Sequence, residues 1–315
     1  MTARSLQSGA SARERAATPS TWSRIWQNDA PGYLFLLPWL IGFLGLTIGP
    51  MITSLYLSFT DFDLLTAPDW VGADNYMRMF TNDPKFWASM RVTMFFVVFS
   101  VPLKLAFALA VAMLLNRGIK GLPMYRALFY LPSLLGASVA IAILWRQIFA
   151  GDGLVNKLLL MFGIEGPSWI SNPKTSLWTL IILSIWQFGS PMIIFLAGLR
   201  QIPQDMYEAA SLDGASKWRQ FVKITLPLLT PVVFFNAIIQ TIEAFKSFTP
   251  AFIISGGTGN PINSTLFYTL YLYQEAFGFF RMGYASALAW VLLALVGIFT
   301  AFSFLTSKYW VHYDE

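Results

Sequence analysis

Six long apolar runs, separated by shorter polar segments, dominate the pattern of this chain. Each run has about the 20 mainly apolar residues that a helix needs to cross a bilayer. The runs are far too long for barrel strands, and backbone groups inside lipid must be hydrogen-bonded within the chain, so helices remain. The pattern predicts an all-α membrane protein with six transmembrane helices, near residues 33–59, 88–115, 122–145, 176–199, 228–254 and 283–306.

Polar residues recur along one face of the fifth run. Asn236, Gln240, Glu243 and Ser247 lie at i, i+4, i+7 and i+11, a spacing that aligns them on a helix. Since polar side chains inside a membrane usually face a bundle interior or a watery cavity, we predict that this stripe lines a substrate path. The alternative is structural, because intramembrane amides and hydroxyls also bond between helices for about 1 kcal/mol.

The fourth run carries a second polar pair, Gln187 and Ser190, beside Trp186 and Phe188. Hydrogen-bonding groups next to aromatic rings suit a sugar, so both polar residues are added to the predicted path.

Three charged residues inside the apolar runs are further candidates for a role in the path or in the packing of the helices. Glu243 and Lys246, at i and i+3, are close enough to neutralise one another. If the molecule on the path were acidic, Lys246 rather than Glu243 would attract it, so Lys246 is added to the predicted path. Lys104, deep in the second run, is expected to be a paired structural charge.

The polar segment 200–227, hereafter the 200–227 loop, has the signals of two short helices. Pro203 suits the first turn of a helix, Asp205 and Glu208 place negative charge toward its positive end, and Gly214 suits a left-handed cap. A second short helix is predicted over residues 215–222, with Pro227 ending the turn where the next membrane helix begins.

Composition and charge agree with a membrane protein of defined orientation. Hydrophobic residues make up 56% of the chain and charged residues 12%, about half the charge of a soluble domain. Twelve of the 21 Lys and Arg residues fall in segments that would be cytoplasmic if the amino terminus is inside, and six fall in the outer loops. Because short cytoplasmic loops carry the positive excess, both termini are predicted to face the cytoplasm.

The charge pattern also sets the expected domains and excludes one class of partner. Basic residues are spread over separate loops rather than gathered on one face, which argues against nucleic acid. Residues 1–30, rich in Ser, Ala, Thr and Arg, are expected to form a disordered cytoplasmic tail. The six-helix domain is expected over 31–310, followed by a short cytoplasmic tail, 311–315.

The chain offers little material for catalysis or for a metal. It has no cysteine, its one histidine is His312, and it lacks the G-x-x-x-x-G-K-[ST] phosphate loop. We therefore predict no catalytic residue, no metal site and no cofactor in this chain. A membrane enzyme would need a cluster of acid, base or metal-binding groups, and this chain has too few such residues in its apolar runs to build one.

One block in the 200–227 loop resembles a known family element. Its residues are Glu208-Ala209-Ala210, Gly214, Ile224 and Leu226-Pro227, with three, nine and one residues in the gaps. This spacing resembles the loop by which membrane subunits of ATP-binding-cassette (ABC) importers couple to their ATPases. Further strings resemble the carbohydrate-importing branch of that family: residues 33–38, 58–61, 71–76, 115–117, 126–132 and 256–265.

The resemblance implies a type I ABC importer transmembrane fold in the bacterial cytoplasmic (inner) membrane. It also implies a heteromer with a second homologous permease, two ATPases that bind ATP and magnesium, and a periplasmic substrate-binding protein. The implied cargo is a carbohydrate, such as an alginate-derived oligosaccharide, although no motif encodes alginate. Two alternatives stay open at this point, a permease for a non-sugar solute and a stand-alone secondary carrier, which would usually show more spans and repeats.

Overall fold

The computed structural model describes residues 30–118, 120–136 and 138–312. The expected tail over the first thirty residues, apart from Ala30, lies outside the described residues, as do residues 313–315 of the expected C-terminal tail. The chain divides into two compact units, with the boundary between Ser54 and Leu55.

The first unit is helical throughout its described part. Helix α1 (Ala30–Phe43) continues through a π-helical turn (Leu44–Ile48) into α2 (Gly49–Leu57), whose last turn lies beyond the unit boundary. Residues Leu34–Leu57 form an apolar segment of 24 residues, long enough to cross a membrane. Exposed apolar side chains cover this segment, and Trp39 stacks on Phe43 with ring centroids 5.1 Å apart.

The second unit begins with a short antiparallel pair of strands, β1 (Thr60–Asp61) and β2 (Asp69–Trp70). Its helices up to the 200–227 loop are α3 (Asp74–Thr81), α4 (Pro84–Leu115), α5 (Leu122–Leu135), α6 (Val139–Ile148), α7 (Leu154–Leu160), α8 (Ser176–Trp186) and α9 (Gly189–Leu199). The remaining helices are α10 (Gln204–Leu212), α11 (Lys217–Gln220), α12 (Leu226–Phe245), α13 (Thr249–Ser255), α14 (Tyr268–Tyr273) and α15 (Met282–Ser307), with π-helical turns at Phe221–Thr225 and Gln274–Gly278.

Helix α4 forms the centre of the second unit. It packs against α8, α9, α12 and α14. Its buried face includes the small residues Ser100, Ala108 and Ala112, which allow neighbouring helices to approach closely, as in membrane bundles. The helices that carry the predicted path therefore surround one central helix.

The predicted spans are found as four long helical segments and two bent pairs. The long segments are Leu34–Leu57, Pro84–Leu115, Lys217–Ser255 and Met282–Ser307. The third and fourth predicted spans are not continuous helices, because α5 and α6 meet at 96° and α8 and α9 at 43°. The described part of the chain is thus almost entirely helical, with four to six candidate spans.

A proline explains the break between α8 and α9. Pro191 has no N–H to donate to the carbonyl of Gln187, four residues earlier, and its ring would collide with that carbonyl in a regular helix. The Ser133 hydroxyl instead donates to the Gln187 carbonyl at 2.9 Å, and it accepts from the Ser190 N–H at 2.9 Å. The polar backbone groups at the break are therefore satisfied inside the protein, as membrane burial requires.

Candidate functional site

The first helix of the 200–227 loop has the predicted form. Helix α10 begins just after Pro203, has Asp205 in its first turn, and ends before Gly214, whose φ is +74°. A side chain at this φ is disfavoured, whereas glycine adopts it at little cost. The Ala215 N–H donates to the Ala210 carbonyl at 2.9 Å, which closes the turn. The prediction of a helix ended by a glycine cap is confirmed.

A buried glutamine joins the two short helices of the loop. Ser216 caps α11 by accepting from the Arg219 N–H at 3.3 Å. The Gln220 amide donates to the Ser211 hydroxyl at 2.8 Å and to the Ala215 carbonyl at 3.3 Å. Tyr207 on α10 shares a 2.9 Å hydrogen bond with Thr225. Gln220 and Thr225 were not predicted to matter, because only the folded turn brings them to their partners.

The predicted stop at Pro227 is wrong. Helix α11 runs without interruption through the π-helical turn Phe221–Thr225 into α12. In that turn the Leu226 N–H donates to the Phe221 carbonyl, five residues back. The wider turn directly precedes Pro227, the second residue of α12, which has no N–H to donate to the ladder of this continuous helix.

The outer surface of the 200–227 loop is exposed and partly apolar. Glu208 and Ala209 are exposed, and Ala210 is half-buried. Leu212 is 90% exposed and Trp218 is 72% exposed. At the other end of the block Ile224 packs against the core, Leu226 is exposed and Pro227 is half-buried. Sequence reasoning missed Leu212 and Trp218, although large apolar residues in a polar loop could have drawn attention to them.

A cavity of about 210 Å³, hereafter the polar cavity, lies among α4, α8 and α12. It gathers five of the seven predicted path residues, and the other two, Ser190 and Asn236, do not line it. The polar and charged residues of its lining are Lys104, Ser184, Gln187, Gln240, Glu243, Lys246, Ser247 and Thr249.

Gln187 is held in place by the α5–α6 turn. Its side-chain amide donates to the Gly136 carbonyl at 3.1 Å. A Cβ added to Gly136 would lie 2.2 Å from Cδ of Gln187, so only glycine leaves room for this side chain. Ser133 and Gly136, which position Gln187, were not predicted, because they are more than fifty residues away from it in sequence.

The predicted stripe on the fifth span is divided in the structure. Gln240, Glu243 and Ser247 face the polar cavity. Asn236, one turn earlier, is fully buried, and neither its Oδ1 nor its Nδ2 has a hydrogen-bond partner among the described residues. A buried unpaired amide is costly, so Asn236 is in an unfavourable environment in this conformation.

Of the three charged residues that line the polar cavity, two form an ion pair with each other. Nζ of Lys246 lies 3.3 Å from Oε1 of Glu243, with both side chains 61% exposed, so the predicted neutralisation is confirmed. The expectation for Lys104 is wrong within the described residues, because neither of the ion pairs found there includes it. Its side chain lines the polar cavity instead.

A second polar group, hereafter the Asp83 cluster, lies at the start of α4. Asp83 is 8% exposed, and one of its carboxylate oxygens accepts from the N–H groups of Lys85 and Phe86 at 2.9 and 3.1 Å. The other oxygen accepts from the hydroxyls of Tyr271 and Tyr284. Sequence reasoning did not single out Asp83, since its tyrosine partners follow 188 and 201 residues later.

Burial alone would raise the pKa of the Asp83 carboxyl, but the four hydrogen bonds outweigh it and hold that pKa below its ordinary value. The cluster therefore contains a stable carboxylate that joins α4 to α14 and α15. Among the described residues, no group of three or more His, Asp or Glu side chains is placed to hold a metal ion.

Residues 105–308 match a family described as the inner membrane component of binding-protein-dependent transport systems. The probable ABC transporter permease protein YesP of Bacillus subtilis (strain 168) is 56% identical over 290 residues, or 92% of this chain and 94% of YesP. The lactose transport system permease protein LacF of Rhizobium radiobacter is 33% identical over 298 residues, or 93% of this chain and 99% of LacF.

A solved structure has the same fold. It comes from a bacterial ABC transporter involved in the import of the acidic polysaccharide alginate, and it matches with a TM-score of 0.73 at 22% identity. The match covers 91% of this chain and 98% of that chain.

Proposed function

The chain belongs to the family of binding-protein-dependent transport system inner membrane components, and from this premise we propose that it is the permease subunit of an ATP-driven carbohydrate importer. The family consists of transport components, and the polar cavity and the exposed 200–227 loop would serve this chain as a path and a docking surface. The lactose permease LacF supports a sugar cargo. Oligosaccharides, including those derived from alginate, are members of this cargo class.

The observation that carries the proposal is the exposed surface of the 200–227 loop. Leu212 and Trp218 place large apolar side chains in solvent on the same loop that exposes Glu208. An exposed apolar patch rimmed by polar residues is typical of a protein interface. We infer that the partner is an ABC ATPase, because this chain has no phosphate loop. ATP and magnesium would then bind to that subunit.

The connection between the loop and the polar cavity supports coupled motion. Helix α11, the π-helical turn Phe221–Thr225 and α12 form one continuous helix from Lys217 to Phe245, which starts in the loop and carries Gln240 and Glu243. From Leu226 to Gln240 such a helix spans about 21 Å. Closure of the ATPases would move the loop, and a rigid helix would transmit that displacement to the cavity.

Alternating access is the resulting mechanism. The cavity would open to one side of the membrane in one state and to the other side in the second state. Only partners that bind the two states with different affinity can drive this change, so nucleotide and the binding protein must each favour one state.

The size of the polar cavity supports a heteromeric path. Its volume of about 210 Å³ is below the roughly 300 Å³ at which small-molecule sites begin. A second permease of like fold would supply the other wall. The complete importer would contain two permeases, two ATPases and a periplasmic binding protein, and lipid would cover the remaining apolar surface.

The membrane arrangement follows from the same proposal. Counting each bent pair as one span gives six spans. With the positive excess inside, both termini and the 200–227 loop would face the cytoplasm of a bacterium, across its inner membrane.

Gentle purification of the tagged chain from its native membrane, followed by mass spectrometry, tests the proposal. We expect a second homologous permease and an ABC ATPase to be recovered with it. Recovery of a stable chain without any ATPase in several detergents would contradict the proposal and favour a stand-alone carrier.

A further inference from the structure

Of the charged residues that line the polar cavity, Lys104 is the one that forms no ion pair within the described part of the chain. It is the twenty-first residue of α4 and lies eleven residues, or about 16 Å, from the end of that helix. The side chain is half-buried and lines the cavity with Gln187 and Gln240. Lysines near the end of a span can extend to the interface, but this one is too deep to do so.

The charges on the cavity wall sum to one positive charge. Its charged residues are Lys104, Glu243 and Lys246. Glu243 pairs with Lys246 at 3.3 Å, and the ammonium of Lys104 is in neither of the ion pairs found among the described residues. A charge at this depth in a membrane is costly unless it is paired or faces a watery cavity, and such residues usually mark a substrate path.

We propose that the cavity takes an anionic sugar and that Lys104 binds its acid group. The side-chain amides of Gln187 and Gln240 would bind hydroxyl groups of the same sugar, because each amide has both a donor and an acceptor. The inference rests on the proposed carbohydrate importer and adds a charge requirement to it. The Glu243–Lys246 pair has a supporting role, because the charge of Lys246 offsets the attraction between Glu243 and Lys104.

The importer reconstituted in proteoliposomes with its binding protein tests the inference. The probes are uronic-acid oligosaccharides of two to five units and the same oligosaccharides with each carboxyl reduced to a primary alcohol. We expect ATP-dependent uptake of the acidic set and little uptake of the reduced set. Equal or better uptake of the reduced set would overturn the inference but leave the proposed function standing. Uptake of neither set would also overturn the inference, whereas the proposed function fails only if no ABC ATPase is recovered with the chain.

A charge series identifies Lys104 as the cause. Lys104→Gln should lower uptake of the acidic set at least about tenfold, since hydrogen bonds to charged groups are among the strong ones. Lys104→Arg should retain most of it. Lys246→Gln should also lower uptake, because the freed Glu243 carboxylate can neutralise Lys104, and the double variant Glu243→Gln/Lys246→Gln should restore it.

The control is Lys157→Gln, which removes an exposed lysine of α7 and should change nothing. If Lys104→Arg lost uptake as fully as Lys104→Gln, or if the double variant failed to recover, Lys104 would have a structural role and the inference would be wrong. The yield of assembled complex is measured for every variant, and uptake is compared only between variants with equal yield.

Discussion

The 200–227 loop and the polar cavity are the two working regions of the proposed importer subunit, and they are built differently. The loop is contiguous in sequence and is held by short-range bonds, such as that from Gln220 to Ser211. The cavity draws its wall from helices more than 130 residues apart, as Lys104 and Gln240 show. Changes in the loop should therefore affect coupling without altering the cavity, and changes in the cavity should affect cargo recognition without altering coupling.

The largest effect is expected from charge reversal in the loop. Glu208→Arg should reduce ATP-driven uptake at least about thirtyfold, because a wrong charge at a docking interface costs about 2 kcal/mol or more. Uptake of labelled cargo and the amount of inserted subunit are measured together. Glu165→Arg, at another exposed glutamate, is the control. Normal uptake in Glu208→Arg would remove the coupling role of the loop.

A smaller effect is expected from the glycine cap of the same loop. Gly214→Val should lower uptake about tenfold, because a left-handed residue with a side chain costs about 1–2 kcal/mol and shifts α10 against α11. Gly118 is a matched control, since its φ is +82° and open space surrounds it, as at Gly214. If Gly118→Val impaired uptake equally, backbone strain alone would explain the loss.

In the cavity, Gly136→Ala should change recognition and leave coupling intact. The new methyl group would displace the Gln187 side chain, so the KM for cargo should rise about fivefold, as for one lost hydrogen bond of about 1 kcal/mol. ATP hydrolysis per cargo molecule transported should stay constant. Gly297→Ala, where a Cβ meets nothing within 4 Å, is the control. A change in the ATP hydrolysed per cargo molecule would show that the polar cavity also affects coupling.

The Asp83 cluster should affect stability and leave uptake by inserted subunits unchanged. Asp83→Asn should destabilise the complex by about 1–3 kcal/mol, because it removes the charge that four donors solvate. Since the folded pKa is lowered, the contribution is present above the unfolded value near 3.8 and is lost as pH falls through the folded pKa.

The difference in Tm between Asp83→Asn and the unsubstituted complex should therefore be constant from about pH 5 to pH 8. A difference that changed steeply within that range would show that Asp83 is not the stable carboxylate described. Reduced uptake at equal insertion would assign the cluster a transport role.

The contrast between the regions also explains what the sequence could predict. The glycine cap at Gly214 and the spacing from Glu208 to Pro227 are local signals, and the family that they indicate is confirmed. Helical periodicity placed Gln240 and Glu243 on one face correctly, whereas Ser247 lines the same cavity from the break just after α12, which the predicted continuous fifth span did not contain. Periodicity could not separate Asn236 from Gln240 and Glu243, because burial one turn deeper depends on packing by neighbouring helices.

Other features depend on contacts between distant segments. The role of Ser133 at the helix break, the free ammonium of Lys104 and the tyrosines around Asp83 each need two helices to meet, and no single-sequence spacing encodes that. The break at Gln187 had a signal in Pro191, but Pro102 and Pro231 lie inside unbroken helices, so a proline in an apolar run does not by itself predict a break.

Site-specific cross-linking tests directly whether the 200–227 loop docks onto an ABC ATPase. The chain has no cysteine, so Ala209→Cys introduces a single thiol at an exposed position of α10, and Thr258→Cys introduces one at the predicted outer side. A thiol-to-amine cross-linker is applied to native membranes that contain the assembled importer. We predict that the Ala209→Cys variant is joined to an ABC ATPase and that Thr258→Cys is not. Absence of an ATPase adduct from Ala209→Cys, or an equal adduct from both variants, would contradict docking of the 200–227 loop onto an ATPase.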